Sequence, residues 1–229
     1  MTRSKLALAL ALSTALTSIS VAAYADGFEA GSILIRARGV EVVPNNSDNN
    51  VNLNSTSNDT VGGQVRATNS FIPELDASYF FSPNVAVEAI AGMSRNGVNS
   101  ISNKVSGSGT VEPLGTTWIL PPTVTLQYHF NPTGWFVPYA GAGLNYTYFF
   151  DTKNSSYLGA NSFRLQSTFG AAVQIGFDIR VDDHWYLNVD AKKIFLTTEA
   201  KFYAPGTGMV ESPVAVDPWL LGLGVGYRF

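Results

Sequence analysis

The chain has 229 residues, 45% of them hydrophobic and 12% aromatic but only 14% charged, with a formal net charge of -3 and no cysteine. An ordinary soluble domain carries about a quarter charged residues, so much of this surface faces something other than water. The mild acidity excludes the basic stripe of a nucleic-acid partner, and the lack of thiols excludes a disulfide framework, thiolate metal ligands and a cysteine nucleophile.

Arg3 and Lys5 precede an apolar run over residues 6–16, and the small-residue pattern Ala23-Tyr24-Ala25 follows it. This predicts a secretory signal peptide over residues 1–25, cleaved before Asp26, and a mature domain over residues 26–229. The run is too short to cross a bilayer as a helix, and no later stretch supplies the roughly 20 apolar residues a transmembrane helix needs.

From residue 31 the chain alternates with a period of two, which predicts strands. A weaker segment over residues 31–39 comes first. In residues 71–81, Phe71, Pro73, Leu75, Ala77, Tyr79 and Phe81 oppose a face with Glu74, Asp76 and Ser78. Residues 85–94 set Val85, Val87, Ala89, Ala91 and Met93 against Glu88, Gly92 and Ser94, and residues 123–130 set Val124, Leu126, Tyr128 and Phe130 against Thr123, Thr125, Gln127 and His129. Residues 135–150 are compatible, 165–180 alternate strongly, and 185–196 are compatible again. Residues 219–229 place Trp219, Leu221, Leu223, Val225, Tyr227 and Phe229 on one face and Gly222, Gly224, Gly226 and Arg228 on the other. The total is eight strands.

Their connections alternate in length. Residues 82–84, 131–134 and 181–184 are short turn-forming clusters, whereas residues 40–70, 95–122, 151–164 and 197–217 are long and rich in Asn, Ser, Thr, Gly and Pro. Short turns at one end and long loops at the other predict an all-β, eight-stranded antiparallel transmembrane barrel, with short periplasmic turns and four long extracellular loops. Hydrocarbon leaves no partner for a sheet edge, so such a sheet must close. Phe80, Phe81, Tyr128, Phe130, Trp135 and Trp185 near the short turns, and Tyr146, Tyr148, Phe149 and Phe150 near a long loop, fit two interfacial girdles. A soluble barrel of lipocalin type would have its faces reversed, polar outside and apolar inside.

The order and spacing of "ILIRARGVEVVP", "LPPTVTLQYHF", "VPYAGAGLNYT" and "DPWLLGLGVGYRF" resemble the OmpW family of small outer-membrane proteins, which includes the AlkL type, over essentially the whole mature chain. The resemblance implies a barrel of the bacterial outer membrane with an apolar channel open to the outside, passing small hydrophobic molecules, with no enzymatic activity and no cofactor. It also implies that the terminal aromatic residues Tyr227 and Phe229 form the signal recognised by barrel-assembly machinery. Membrane lipid and lipopolysaccharide are the surrounding partners expected.

If the apolar positions face lipid, the interior carries Arg36, Arg38, Arg180, Lys192 and Arg228 with Glu74, Asp76, Glu88, Asp178 and Asp190. An eight-stranded barrel is only about wide enough for its own side chains, so these groups form either a structural ion-pair plug or a gated ion path. Lys193 falls on the lipid face by alternation, which calls for a bulge or a rim position from which it snorkels. His129 and His184 both sit by short turns, away from the outer rim where catalysis is expected, and no catalytic or metal site is assigned. The Asn-rich run of residues 45–60 is a solvated loop or a cation or lipopolysaccharide site. The long loops carry Trp118, Ile119, Leu120, Phe163, Phe202 and Tyr203, which either cap one another or line an oily vestibule. With a charged plug beneath, an apolar solute is expected to leave sideways through a break in the wall, for which Pro44, Pro73, Pro121 and Pro122 are the candidates. The competing expectation is a surface-binding or envelope-stabilising barrel that transports nothing.

Overall fold

A chain whose side chains alternate in polarity buries one class only by pairing strands side by side, and the computed structural model does so around a closed ring. It describes residues 27–45, 50–52, 62–67, 69–102, 110–154, 163–204 and 208–229; the expected signal peptide lies outside them. The strands are β1 (Ile33–Val43), β2 (Asn50–Asn52), β3 (Gly62–Ala67), β4 (Ser70–Ser82), β5 (Val85–Gly92), β6 (Ser94–Ser102), β7 (Thr110–Leu120) and β8 (Thr123–His129). After them come β9 (Phe136–Asn154), β10 (Phe163–Leu165), β11 (Thr168–Arg180), β12 (Trp185–Phe195), β13 (Thr197–Ala204), β14 (Gly208–Ala215) and β15 (Trp219–Arg228).

Eight of these close an antiparallel barrel in the order β1, β4, β5, β8, β9, β11, β12, β15, with β15 returning to β1 through a ladder from Leu34↔Arg228 to Val43↔Trp219. The eight expected strands are these eight. The long connections differ from expectation, because they are largely strand. The upper part of β9 pairs with β7, which continues through β6 and β3 to β2, and β10, β13 and β14 form a second small sheet. Beyond the hydrocarbon a backbone ladder still satisfies its own polar groups, but nothing there demands one apolar face. The Asn, Ser and Gly of β6 and the Thr of β7 therefore show no period of two.

Exposure is inverted relative to a water-soluble protein. Phe71, Leu144, Phe169 and Leu223 are 66–76% exposed, whereas Arg36, Glu88 and Asp178 are fully buried. The outward positions form an apolar band and the inward ones a polar filling, as the alternation required. Lys193 keeps its place in unbroken ladders to Val173 and Trp219. No bulge is involved: its ammonium donates to the Asp217 carbonyl and lies 5.3 Å from the centre of the Trp219 ring, at the long-connection rim.

The short turns are held by their own side chains. Asp182 accepts the N–H groups of His184 (2.8 Å) and Trp185 (2.7 Å), and these bonds hold its carboxyl below the usual range. Asn84 donates to the His129 carbonyl at 2.7 Å. The segment preceding β1 crosses the short-turn mouth. Phe28 N–H donates to the Pro132 carbonyl in the opposite β8–β9 turn (3.1 Å), Gly31 N–H donates to Phe80 (2.8 Å), and the Arg228 guanidinium donates to the Gly27 carbonyl.

Candidate passage through the barrel

Even-numbered residues of β1, β4, β12 and β15 point inward, and they sort into layers along the axis. Nearest the long connections, Val40, Ile72, Ala172, Ile194, Leu196 and Leu220 form a buried apolar cluster inside the lumen. Sequence alternation missed this collar. Around residues 194–196 and 219–221 both parities are apolar, so the pattern alone does not say which side chains face inward.

The next layer is ionic, and alternation had assigned its members to the lumen. The Arg36 guanidinium grips Asp178 with two bonds (3.0 and 2.8 Å) and also donates to Asp76 (3.0 Å), Ser78 (2.9 Å) and Glu88 (3.4 Å). Arg38 pairs with Glu74 (3.0 Å), Glu88 (2.8 Å) and Asp76 (3.2 Å), with Asp190 at 3.8 Å. Lys192 lies 3.5 Å from Glu74 and 3.9 Å from Asp190. Neutral groups complete the layer: Gln127 and Thr125 donate to Glu88, Tyr139 and Gln174 to Asp190, and Asn188 to Asp178. Arg180 and Arg228 lie at the short-turn end. Arg180 lies over the Tyr186 ring, and Arg228 binds the segment crossing the mouth.

The bare face of β15 gives this layer its room. A Cβ at Gly224 would meet the Ala37 carbonyl at 2.3 Å and Arg38 Cγ at 2.8 Å, and one at Gly226 would meet Arg36 Cγ at 3.2 Å. The glycines of the last strand are there because the stems of two arginines lie against them.

Below the ions an aromatic layer closes the mouth. The Phe28 ring stacks on Phe80 (centroids 4.2 Å apart) and Tyr186 (5.2 Å) and meets His129 edge-on, with Leu34, Ala86 and Val137 filling the remainder. His129 is thus part of this packing, hydrogen-bonded to Gln127, and His184 stacks on Tyr227. Nothing in the sequence distinguished Phe28 as part of the filling, because it lies outside any alternating segment.

Among the described residues, the ladder of the wall is interrupted beside Pro73. The β4–β5 ladder begins only at Glu74↔Gly92, and Ser70 to Pro73 pair on their other side with β1. Pro73 has no N–H to offer, Met93 falls between β5 and β6, and Pro121 and Pro122 fall between β7 and β8. A recess of about 620 Å³ opens on the outer face here, between Pro73, Leu75, Ala91, Gly92, Met93 and Leu120, its lining completed by Ala37, Arg38 and Glu74. Of the prolines expected to mark a break, Pro73 borders it. The ladder at Pro121 and Pro122 is patched by Asn145, which donates to both carbonyls, and Pro44 lies just past the end of β1.

The expected vestibule residues fall on β7 and on the β10–β13–β14 sheet. Leu120 reaches the wall recess, Trp118 stacks on Phe150 with Arg95 above it, and Ile119 pairs with Ser94 and Phe149. Phe163 faces Phe202 in the β10–β13 ladder, and Tyr203 faces Met209 in β13–β14; the side chains of Phe163, Phe202 and Tyr203 lie outside the described residues. At the other end of the chain, Tyr227 packs against Trp185 and Phe229, and Phe229 is 69% exposed.

The fold has close counterparts. An uncharacterised outer-membrane protein, y4mB, of Sinorhizobium fredii is 41% identical over 93% of this chain and 88% of its own. The dibenzothiophene metabolism operon protein PahQ of Pseudomonas aeruginosa is 29% identical over 73% of this chain and 76% of its own. The crystal structure of the outer membrane protein OprG from Pseudomonas aeruginosa superposes with a TM-score of 0.78 at 28% identity, covering 89% of this chain and 98% of that one. This architecture is that of a barrel of the bacterial outer membrane. The model of the OmpW family matches residues 29–229, and the chain belongs to that family.

Proposed function

We propose that the barrel passes small apolar molecules from the cell exterior into the outer membrane itself, through the apolar collar and out of the wall at Pro73. The observation that carries this reading is the wall break lying beside a lumen filled by ions. A solute resting on Val40, Ile72 and Leu220 gains nothing by displacing Arg36 or Glu88, whose bonds it cannot replace. Sideways, the wall offers Ala91 and Gly92, the smallest side chains, and a proline that cannot extend the ladder. The name of PahQ ties that relative to the metabolism of an apolar aromatic compound, which is in keeping with such cargo.

The exposed aromatic band then sits in lipid, with lipopolysaccharide around the long-connection end, and the terminal strand with Tyr227 and Phe229 serves as the assembly signal. The test uses cells making the protein or its Ala91→Phe variant, which fills the recess from the lipid side. The native barrel should speed accumulation of a fluorescent polycyclic tracer, and Ala91→Phe should abolish the gain at equal amounts of folded barrel. If the tracer enters equally with and without the protein, transport fails and an envelope-stabilising role takes its place.

A further inference from the structure

Along β9, Tyr146 and Tyr148 point outward, 37% and 47% exposed, while Asn145 and Thr147 are buried in the lumen. Continued alternation would turn Lys153 into the lumen as well. Asp151 prevents this. Its φ is 47°, a left-handed conformation that Asn and Asp tolerate better than most residues, and it marks a bulge: β9 pairs Phe150 with Trp118 but Lys153, three residues on, with Thr116, two residues back on β7. Thr152 joins Thr117 inside, their hydroxyls 3.1 Å apart, and Lys153 emerges outside. Re-aiming a side chain is a common use of a bulge.

Outside, Lys153 meets a second cation above an aromatic row. Arg95 pairs across β6–β7 with Trp118, Trp118 stacks on Phe150 (centroids 6.4 Å apart) and Phe150 on Tyr148 (5.7 Å). The Arg95 guanidinium lies 5.9 Å from the centre of the Trp118 ring and donates to Thr116 Oγ1 at 3.4 Å. Arg95 and Lys153 therefore flank Thr116 from the two neighbouring strands. The partners of Arg95 among the described residues are neutral. Lys153 has Asp151 at 4.0 Å, with the two side chains 65% and 54% exposed, and so exposed an ion pair contributes little. Both charges are available to an anion.

The height of the pair limits which anion. Tyr146 packs on Phe169 (4.6 Å) in the girdle at the long-connection end, and Phe150 lies four residues further along β9. Four residues of strand rise about 13 Å, or about 10 Å of height at a tilt near 40°. A phospholipid headgroup layer is about 5 to 8 Å deep, so its phosphate lies below the two cations. The phosphorylated sugars of lipopolysaccharide extend further from the hydrocarbon and reach them.

We propose that Arg95 and Lys153, on either side of Thr116, bind a phosphate group in the sugar region of lipopolysaccharide, with Trp118, Phe150 and Tyr148 packed beneath it. The inference rests on the placement in the outer membrane and not on the passage of solutes, so a failed tracer assay leaves it standing and its own failure leaves transport standing.

The experiment takes the full barrel in neutral-detergent micelles, 15N-labelled at its four tryptophans, and follows the indole N–H of Trp118 by NMR. The titrants are rough lipopolysaccharide, the same material after enzymatic dephosphorylation, and phosphatidylglycerol. Rough lipopolysaccharide should shift the Trp118 signal saturably, and the other two should need at least about 5-fold more for the same shift. Arg95→Gln and Lys153→Gln should each raise half-saturation about 5-fold, the effect of one basic residue at an anionic membrane surface. Both side chains are exposed, and unheated gel mobility checks that the variants fold. Equal half-saturation for phosphatidylglycerol and lipopolysaccharide would make the pair a general basic surface and overturn the proposal. Half-saturation unmoved by either substitution would overturn it too.

Discussion

Replacing Arg36 by Met removes the centre of the ionic layer while keeping much of its volume. Three carboxylates, Asp178, Asp76 and Glu88, lose a partner at 2.8–3.4 Å, and all four side chains are fully buried. Solvent screening is therefore small, and the ordinary cost of stranding a buried charge, about 3 to 5 kcal/mol, applies to the site as a whole. The individual bonds are not to be summed, because they share one guanidinium. Adding Asp178→Asn to the same chain removes the carboxylate that Arg36 holds with two bonds and should recover about 1 to 2 kcal/mol of that loss. Urea unfolding in lipid vesicles, followed by the fluorescence of the four tryptophans and by gel mobility without heating, measures both variants. A loss below about 1 kcal/mol for Arg36→Met, typical of exposed ion pairs, would show that water fills the lumen and that the ions neither seal it nor direct a solute sideways.

The same unfolding assay checks two further substitutions, and a leak recording and a titration check two other sites. Leu223→Arg, which places a charge in the lipid-facing band, should cost about 2 to 4 kcal/mol, and an effect near zero would contradict its outward placement. Gly224→Ala forces a methyl against the Ala37 carbonyl and the Arg38 stem and should cost about 1 to 3 kcal/mol. Phe28→Ser removes a ring stacked between Phe80 and Tyr186 and should raise ionic leak through the short-turn mouth in planar bilayers; unchanged leak would mean the mouth is closed without it. Asp182 should titrate by NMR below the ordinary aspartate value of about 3.9. Because its carboxyl is held down in the folded turn, the stability it adds is complete above that value and is lost as the pH falls through the folded one.

How much of this was legible in the sequence varies with the physics that encodes each part. Alternation is forced wherever one face meets lipid, so the eight barrel strands and the inward set from Arg36 to Lys192 could be read directly. Which carboxylate each arginine takes could not, because that depends on the stagger between strands. The apolar collar was hidden at residues such as Leu220, whose outward neighbours Trp219 and Leu221 are equally apolar. The strands within the long connections were hidden because outside the membrane no face needs to be apolar. The proline positions offered four candidate breaks, and only the registers of β4 with β1 and β5 single out Pro73.

The central claim is that the lumen is closed to ions and water while the wall is open to apolar molecules. The direct measurement is the destination of a solute in vesicles containing the barrel, with lipopolysaccharide in the outer leaflet and phospholipid in the inner, monitored together by a membrane-partitioning fluorophore and an encapsulated ion indicator. The account predicts that the fluorophore reaches the inner lipid faster than in protein-free vesicles, that Ala91→Phe removes this gain, and that the ion indicator hardly responds. A strong ionic response with no gain for the fluorophore would contradict it, and would make the barrel a conventional aqueous pore.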